Sequence, residues 1–551
     1  MKMASYVVCA LTLLLRTSPA QSAGDHRSPD SIQYNSHYAT LQLAINAVCN
    51  GVVAGTVALP TGVTTINAEL SIPGNCTIAG QGNSRTILQP SANMISPAMQ
   101  IQSVSTVFLR DLQVNGNRQS DAANVDCVDI VSAHNVVLDS VAVVNCRNNG
   151  ILIAGSSTDI SIRNSDIYNC GPMNPGAQGP AAILIGAISS GSAVSRVFLK
   201  GNRIHDSATG FSATNSRTPG LDMVDFEVTG NKIYSNANDG ILITTTNMVG
   251  GNITGLRVEG NEIYCNGWPK SGVDFSPHCA PGFQQKGQIE SQGGVGVDLI
   301  QSGSARLVRP IVDENRIHDN VFEGVATTTT GDANAMPTVN IAGKNVTWTS
   351  GPVRFDYVSP GQYVWIERKM YAIASVVNSK SLALQTSPGN RTGASMAIPA
   401  YMGAIIRNNV VSDSGNTSRA VGPCFYNQLA DGNVYSGNTA IHCAFEGYEN
   451  FMSSFLSYTG DRAYSNNSSE TPGHDAGFTA SGSYGTSWLD VVASDVTTSP
   501  TQTYGVFLNS TVSKAMVRSQ FLVGSNAVRD DSHSASINAK VATSAKHTDY
   551  K

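Results

Sequence analysis

The chain has 551 residues, 52 of them Gly, with only 34 basic and 39 acidic side chains. A hydrophobic fraction of 41% with 7% aromatics can bury a core, which excludes wholesale disorder, and Gly and Pro are too few for a collagen. Sparse charge and abundant Gly, Asn, Ser and Thr suit strands and turns better than long helices, so the composition leans all-β.

At the start, Lys2, the apolar stretch 5–15 and the small residues Ser18 to Ala20 read as a signal peptide over 1–23. The apolar run is too short to span a bilayer and no later run is long enough, so a soluble, secreted or periplasmic protein is expected, without membrane insertion. Removing Lys2 and Arg16 with that segment leaves 32 basic against 39 acidic residues, a net charge of −7. No basic cluster remains to neutralise phosphates, so nucleic acid is not an expected partner.

The middle of the chain repeats. Asn202, Asn231, Asn261, Asn315 and Asn409 each follow a short apolar run and precede another, at spacings of 29, 30, 54 and 94. The first two spacings set the unit and the last two are that unit with inserts. Each unit holds three short strand-like runs, for example 239–246, 255–260 and 262–265. Three strands per turn is the pattern of a parallel β-helix, in which like residues of successive coils stack into ladders. Ile204, Ile233, Ile263 and Ile317 should stack inside, and the five asparagines should bond the turn backbone and one another, a structural rather than catalytic set.

Ahead of the repeats, residues 38–50 have helical spacing and are followed by GTVALPTGVTTI and NCTIAGQG. This opening resembles that of the pectate-lyase superfamily of right-handed parallel β-helices, over roughly residues 30–530. The resemblance is specific for fold and weak for reaction, since polysaccharide lyases, glycoside hydrolases, epimerases and phage tailspike depolymerases share it. It implies an all-β solenoid with an N-terminal capping helix over 30–330, an inserted β-subdomain over 331–402, the solenoid continued over 403–530, and a loose polar tail over 531–551. Because tailspikes are often trimers, monomer and trimer both stay open. Nine cysteines remain after the signal segment, and four bridges fit the resemblance: Cys49 with Cys76, Cys146 with Cys170, Cys265 with Cys279, and Cys424 with Cys443. Cys127 is then left over, and free buried thiols are the alternative for each pair.

The resemblance also implies a polymer-binding groove over the first strand of each coil. In that register Asp298 points outward, in a column with Asp129, Leu152, Leu184, Ser212, Leu242 and Ala326, while Val297 and Leu299 point inward. Asp239 and Glu323 stand just before the neighbouring first strands. The three carboxylates are the catalytic candidates, since glycoside hydrolysis needs an acid and a base or nucleophile roughly 5 to 9.5 Å apart; the bland alternative for Asp239 and Glu323 is turn formation. The long loop 267–294 supplies Trp268, Lys270 and Lys286, and the segment after the Asp298 strand supplies Arg306 and Arg309, as candidate substrate-binding walls. His278 in that loop is a base or a surface residue. Trp348, Tyr363, Trp365 and Tyr371 of the inserted subdomain are sugar platforms or the core of that subdomain.

The paired-aspartate and Gly-His-Gly signatures of polygalacturonases and the Asp-Pro-His motif of alginate epimerases have no counterpart. No cofactor is expected and no metal site is assigned; Ca2+ is compatible with the dispersed acids, but their spacing does not call for it. The leading reading is a secreted enzyme cleaving glycosidic bonds of a polysaccharide, with hydrolysis slightly ahead of β-elimination. A lyase acting on a uronic-acid polymer would instead use Lys270, Lys286, Arg306 or Arg309. The alternative from another class is a non-catalytic glycan-binding module or adhesin.

Overall fold

The computed structural model describes residues 31–541 except 35–37, 50–53, 92–93, 118–124, 172–179, 188–192, 216–221, 246–250, 268–293, 302–304, 330–336, 352–354, 356–357, 368, 416–421, 469, 471–472, 496–500 and 523–525. The proposed signal segment therefore lies outside the described residues.

The one α-helix among the described residues, Leu41–Val48, lies between the first two strands of a parallel stack, Ser31–Gln33 and Gly55–Ala58. Thr40 starts it by accepting the Leu43 N–H at 3.2 Å, and Leu41, Ala44, Ile45 and Val48 fall on one buried face. Gln42 clamps Ser71 through both its backbone N–H and its carbonyl at 2.9 Å, so the helix covers the otherwise open first coil. No helix among the described residues is long and apolar enough to cross a membrane.

Every strand of the solenoid pairs in parallel with its counterpart one coil away, in two sheets of 31 and 14 strands. The 14-stranded sheet carries the first strand of each coil. Six of its strands matter below: β1 (Ile241–Thr244), β2 (Val297–Gln301), β3 (Val325–Thr329), β4 (Phe425–Gln428), β5 (Tyr448–Phe451) and β6 (Ala476–Ser481), hydrogen-bonded in that order.

The interior is ladder on ladder. Ile204, Ile233, Ile263 and Ile317 are in register and fully buried. At the turn before them, each asparagine from Asn231 to Asn409 receives the backbone N–H and the side-chain N–H of the preceding rung on its Oδ1, at 2.9 to 3.0 Å, and Asn202 accepts the Ser165 backbone N–H at 3.0 Å. These bonds satisfy turn amides that burial would otherwise leave unpaired. A second ladder, Asn236, Asn266 and Asn320, does the same at the corner leading into the 14-stranded sheet. Past residue 403 the filling changes from aliphatic to aromatic: Phe425, Tyr448 and Phe478 stack at 4.6 Å, and Tyr435, Tyr458 and Trp488 form a parallel column.

The insert is a closed six-stranded barrel over Thr338–Ala397 with its own core, including Val339, Ile341, Val346, Ile373 and Leu382. It leaves the solenoid after β3 and rests on the edge where β4, β5 and β6 end. There Trp365 packs with Leu429 and over Gly482, and Tyr363 stacks on Tyr484 at 4.1 Å with a 2.9 Å hydroxyl bond. Two of the four aromatics offered as sugar platforms thus seat the barrel. The other two, Trp348 and Tyr371, pack against the barrel core.

Two expectations need correction. The solenoid does not end at 530: Ser536–Val541 pairs in parallel with Met516–Leu522, so at least residues 536–541 of the expected tail form a further coil. Cys146 is bonded to Cys127, not to Cys170, with the two Cα atoms 5.5 Å apart. Cys127 sits in the glycine column at the start of a first strand, and Cys146 at the corner of the same wall, which brings their Cβ atoms together. Cys424 and Cys443 repeat that arrangement with the same separation of 19 residues. Cys49 is bonded to Cys76, tying the helix end to the coil it covers. Cys265 is disulfide-bonded, and Cys279 lies outside the described residues.

Candidate active site

Alternation along a strand puts every second side chain of the 14-stranded sheet outside. Pairing fixes the outward column as Asp129, Leu152, Leu184, Ser212, Leu242, Asp298, Ala326, Tyr426, Glu449 and Thr479. Asp298 is half-buried in the middle of β2, between buried Val297 and Leu299.

Asp239 and Glu323 occupy the corner column just before β1 and β3. Burial pushes the Asp298 carboxyl well above the usual carboxylate range, and the nearby charges of Asp239 and Glu323 add to the rise. Burial likewise carries Glu323 up to about 7, with a further push from Asp239. Asp239 and Glu323 thus both act on Asp298, and Asp239 on Glu323; Asp298 and Glu323 stand on adjacent coils, where the in-register neighbour of Asp298 is Ala326, three residues past Glu323.

Asp239 is held differently. Its Oδ1 accepts the backbone N–H groups of Gly294 at 2.7 Å and Val295 at 3.0 Å, and the residue is buried. Burial raises its proton affinity against those two amides, which pull the other way. Two main-chain bonds fix it as the closing residue of the corner, and its charge raises the proton affinity of Asp298.

Downstream, the same column carries groups that the repeat pattern did not reveal. Glu449 lies two strands beyond Ala326, and burial raises it to about 8, helped by Glu446 and Glu323 and opposed by His474. Glu446 is the corner residue of that coil; its buried carboxylate holds His474 Nδ1 at 3.1 and 3.2 Å. The His474 ring stacks on Phe445 with centroids 3.9 Å apart. Glu446 raises the His474 imidazole above its ordinary value by accepting this bond. Tyr426, between Ala326 and Glu449, is kept protonated by burial and by the adjacent Glu449 and Glu323 charges.

At the start of the groove, Asp129 is raised to about 8 by burial, Asp126 and Glu69. Asp126 is bound by Asn148 Nδ2 at 2.7 Å and by Asn149 N at 2.8 Å and Nδ2 at 2.9 Å. Four strands separate this group from Asp298, so the two acidic sets are distinct.

Of the proposed wall residues, Trp268, Lys270 and Lys286 lie outside the described residues, as does His278. Arg306 is half-buried and gives its backbone N–H to Asn252 at 3.1 Å. Arg309 sits exposed at a left-handed bend of the 31-stranded sheet, between Leu307–Val308 and Ile311–Asp313, rather than on the 14-stranded face. Among the described residues, no group of three or more His, Cys, Asp or Glu side chains is arranged to hold a metal ion.

Residues 97–349 match the family described as "Right handed beta helix region". No curated protein matches the sequence at a significant level. Among solved structures the chain is similar to the A-module of the mannuronan C-5 epimerase AlgE4 of Azotobacter vinelandii, at 11% identity over 92% of this chain and 93% of that one, with a TM-score of 0.38. It is also similar to PfbA, a surface adhesin of Streptococcus pneumoniae, at 11% identity over 83% and 89% with a TM-score of 0.45. The catalytic unit of a GH87 α-1,3-glucanase from Streptomyces thermodiastaticus strain HF3-3 is a third, at 12% identity over 94% and 70% with a TM-score of 0.39.

Proposed function

We propose that this right-handed parallel β-helix chain is an exported glycan-cleaving enzyme that hydrolyses glycosidic bonds of a polysaccharide lying along the 14-stranded face. The observation that carries the reading is the presence of Asp298 and Glu323 on adjacent coils, both with proton affinities raised by burial and by the Asp239 charge, and Asp298 also by the charge of Glu323. In the hydrolytic assignment Asp298, whose proton affinity is raised by burial and by the charges of Asp239 and Glu323, delivers a proton to the leaving glycosidic oxygen. Glu323, ionised above about 7, takes the role of base or nucleophile on the other side of the sugar. Asp239 maintains the Asp298 proton through its charge. An uncharged polymer suits this acid-lined floor better than a polyuronate. Disulfides such as Cys127–Cys146 fit an oxidising, extracellular or periplasmic setting.

The test is a reducing-end assay of the purified protein on neutral and uronic-acid polysaccharides, read in parallel for ultraviolet absorbance of unsaturated ends. Reducing ends without absorbance, abolished in Asp298→Asn and Glu323→Gln, are expected. Absorbance would transfer the reading to a lyase using the basic loop residues, and binding without cleavage would leave a glycan-binding module.

A further inference from the structure

The groove does not stop at the cleavage pair. Three strand steps lead from Asp298 on β2 to Glu449 on β5, a distance of ~14 Å or about three pyranose rings. We propose that Glu449, Thr479 and His474 form a separate subsite there that recognises the hydroxyl groups of an uncharged sugar in the same polymer; it rests on the glycan-cleaving reading above.

The first observation is an unmet hydrogen bond. Thr479 is in the outward column of β6, next to Glu449, and is only 7% exposed. Its hydroxyl is buried and has no hydrogen-bond partner. Burying a hydroxyl unpaired costs free energy, and in native proteins such groups are few. A ligand hydroxyl arriving from the groove would supply the missing partner, because the strand's alternation aims this side chain at the groove and not at the core.

The second observation is a histidine set in place. The buried Glu446 carboxylate takes the Nδ1 side of His474, and Phe445 stacks against the ring, so both the tautomer and the ring plane are fixed. Nε2 has no hydrogen-bond partner among the described residues. This corner forms one wall of the subsite. The opposite wall is the barrel, which packs on Leu429 and Gly482 where β4 and β6 end.

The chemistry of these groups selects the ligand. Thr479 donates and accepts, Tyr426 donates, and Glu449, raised to about 8, keeps a proton at neutral pH and also does both. That mixture matches the donor and acceptor pairs of sugar hydroxyls. A uronate carboxylate at the same place would meet the charges of Glu446 and Glu323, which already act on Glu449, with His474 engaged by Glu446.

The experiment uses the full chain with short and long members of neutral gluco-, galacto- and manno-oligosaccharide series and of a uronate oligomer series, and measures cleavage rate and affinity by length. Thr479→Val and His474→Phe should each raise KM and Kd for the long members by about 3 to 10 fold, the value of one hydrogen bond. They should leave kinetics on the shortest cleaved member unchanged, and Thr479→Ser should restore wild-type behaviour. Equal losses on short and long members, no loss on either, or preferential use of uronate oligomers at this length would overturn the subsite while the Asp298→Asn control keeps the cleavage reading intact. A wild-type protein that binds and cuts none of the series overturns both.

Discussion

Asn438 gives both its backbone N–H and its side-chain N–H to one oxygen of Asp461, each at 2.8 Å. Asp461 is the last rung of the ladder that begins at Asn202. Its other oxygen accepts the Thr459 N–H at 3.0 Å, whereas Asn409 uses its side-chain N–H to reach the carbonyl of Arg407, also two residues back, at 2.9 Å. The next coil offers apolar Val491 immediately before Val492, which pairs with Arg462, so a donor at this rung would find no acceptor ahead. A carboxyl group ends the ladder where an amide would leave a donor facing a donor.

That termination is costly once the group ionises. Asp461 is fully buried, and burial raises it from 3.8 to about 7 against the bonds from Asn438 and Thr459. The folded state thus holds a proton that the unfolded chain releases near its ordinary value. Stability from this group is fully present below about pH 4 and falls as pH rises to about 7, by at most about 4 kcal/mol. Asp461→Asn should be less stable than wild type by about 1 to 3 kcal/mol in acid, from the mismatched Thr459 bond. The gap should narrow or invert above pH 7. Urea unfolding across that range checks this, and a gap independent of pH would falsify it.

For the cleavage pair the signs are separable. Activity needs Glu323 ionised and Asp298 protonated, so kcat/KM should climb as pH rises through about 7 and fall again where the raised Asp298 carboxyl loses its proton. Replacing either residue by its amide should lower kcat by about 100 to 10,000 fold. In Asp239→Asn the alkaline limb should move to lower pH, because removing a negative field from Asp298 lowers its proton affinity. A pH–rate profile of the three variants reads all of this, and an unmoved alkaline limb in Asp239→Asn would remove Asp298 from the acid role.

How far the sequence carried these conclusions depends on which coils are considered. From Asn202 to Asn409 the rungs keep one residue type, at spacings of 29 and 30 before inserts lengthen them to 54 and 94, so the fold, the ladder and the outward position of Asp298 were legible. The second ladder, Asn236, Asn266 and Asn320, stood in plain view at the ends of the runs IYSN, IYCN and IHDN and was passed over. Beyond residue 403 the coils shorten to 23 residues between Asn438 and Asp461, the rung becomes a carboxylate, and aromatic stacks replace the isoleucines. With length, rung and core residue all changed, Glu449, Glu446 and His474 gave no periodic signal. The disulfide error had a different origin. Cys146 and Cys170 do share a column, but a bridge needs converging Cβ vectors, and those are met within the coil; the equal spacing of Cys127 to Cys146 and Cys424 to Cys443 was the available clue.

The revised pairing has its own consequence. Non-reducing peptide mapping should recover a fragment joining Cys127 to Cys146 and another joining Cys424 to Cys443. Cys127→Ser should destabilise the protein by about 2 to 4 kcal/mol, because it frees a closed loop in the unfolded chain as well as exposing a thiol to the interior. Cys170→Ser leaves that bridge in place and should cost less. The reverse order of stabilities, or a Cys146 to Cys170 fragment, would restore the pairing first expected.

The barrel's seat on the solenoid can be broken without touching the groove floor. Trp365 is 2% exposed, packed with Leu429 and over Gly482, whose φ of +62° favours glycine and whose missing side chain makes room for the indole. Tyr363 adds its stacking on Tyr484 and one hydroxyl bond. Trp365→Ala should therefore remove about 3 to 5 kcal/mol of packing, and Tyr363→Phe only about 0.5 to 1.5 kcal/mol. Because the barrel has a core of its own, the loss should fall on its attachment: Trp365→Ala should expose the connection at 398–404 to limited proteolysis while the barrel strands stay protected. If the barrel walls the groove beside Glu449 and Thr479, the same variant should weaken long oligosaccharides more than short ones. Proteolysis without that length dependence would mean that the barrel is seated on the solenoid but takes no part in holding the polymer.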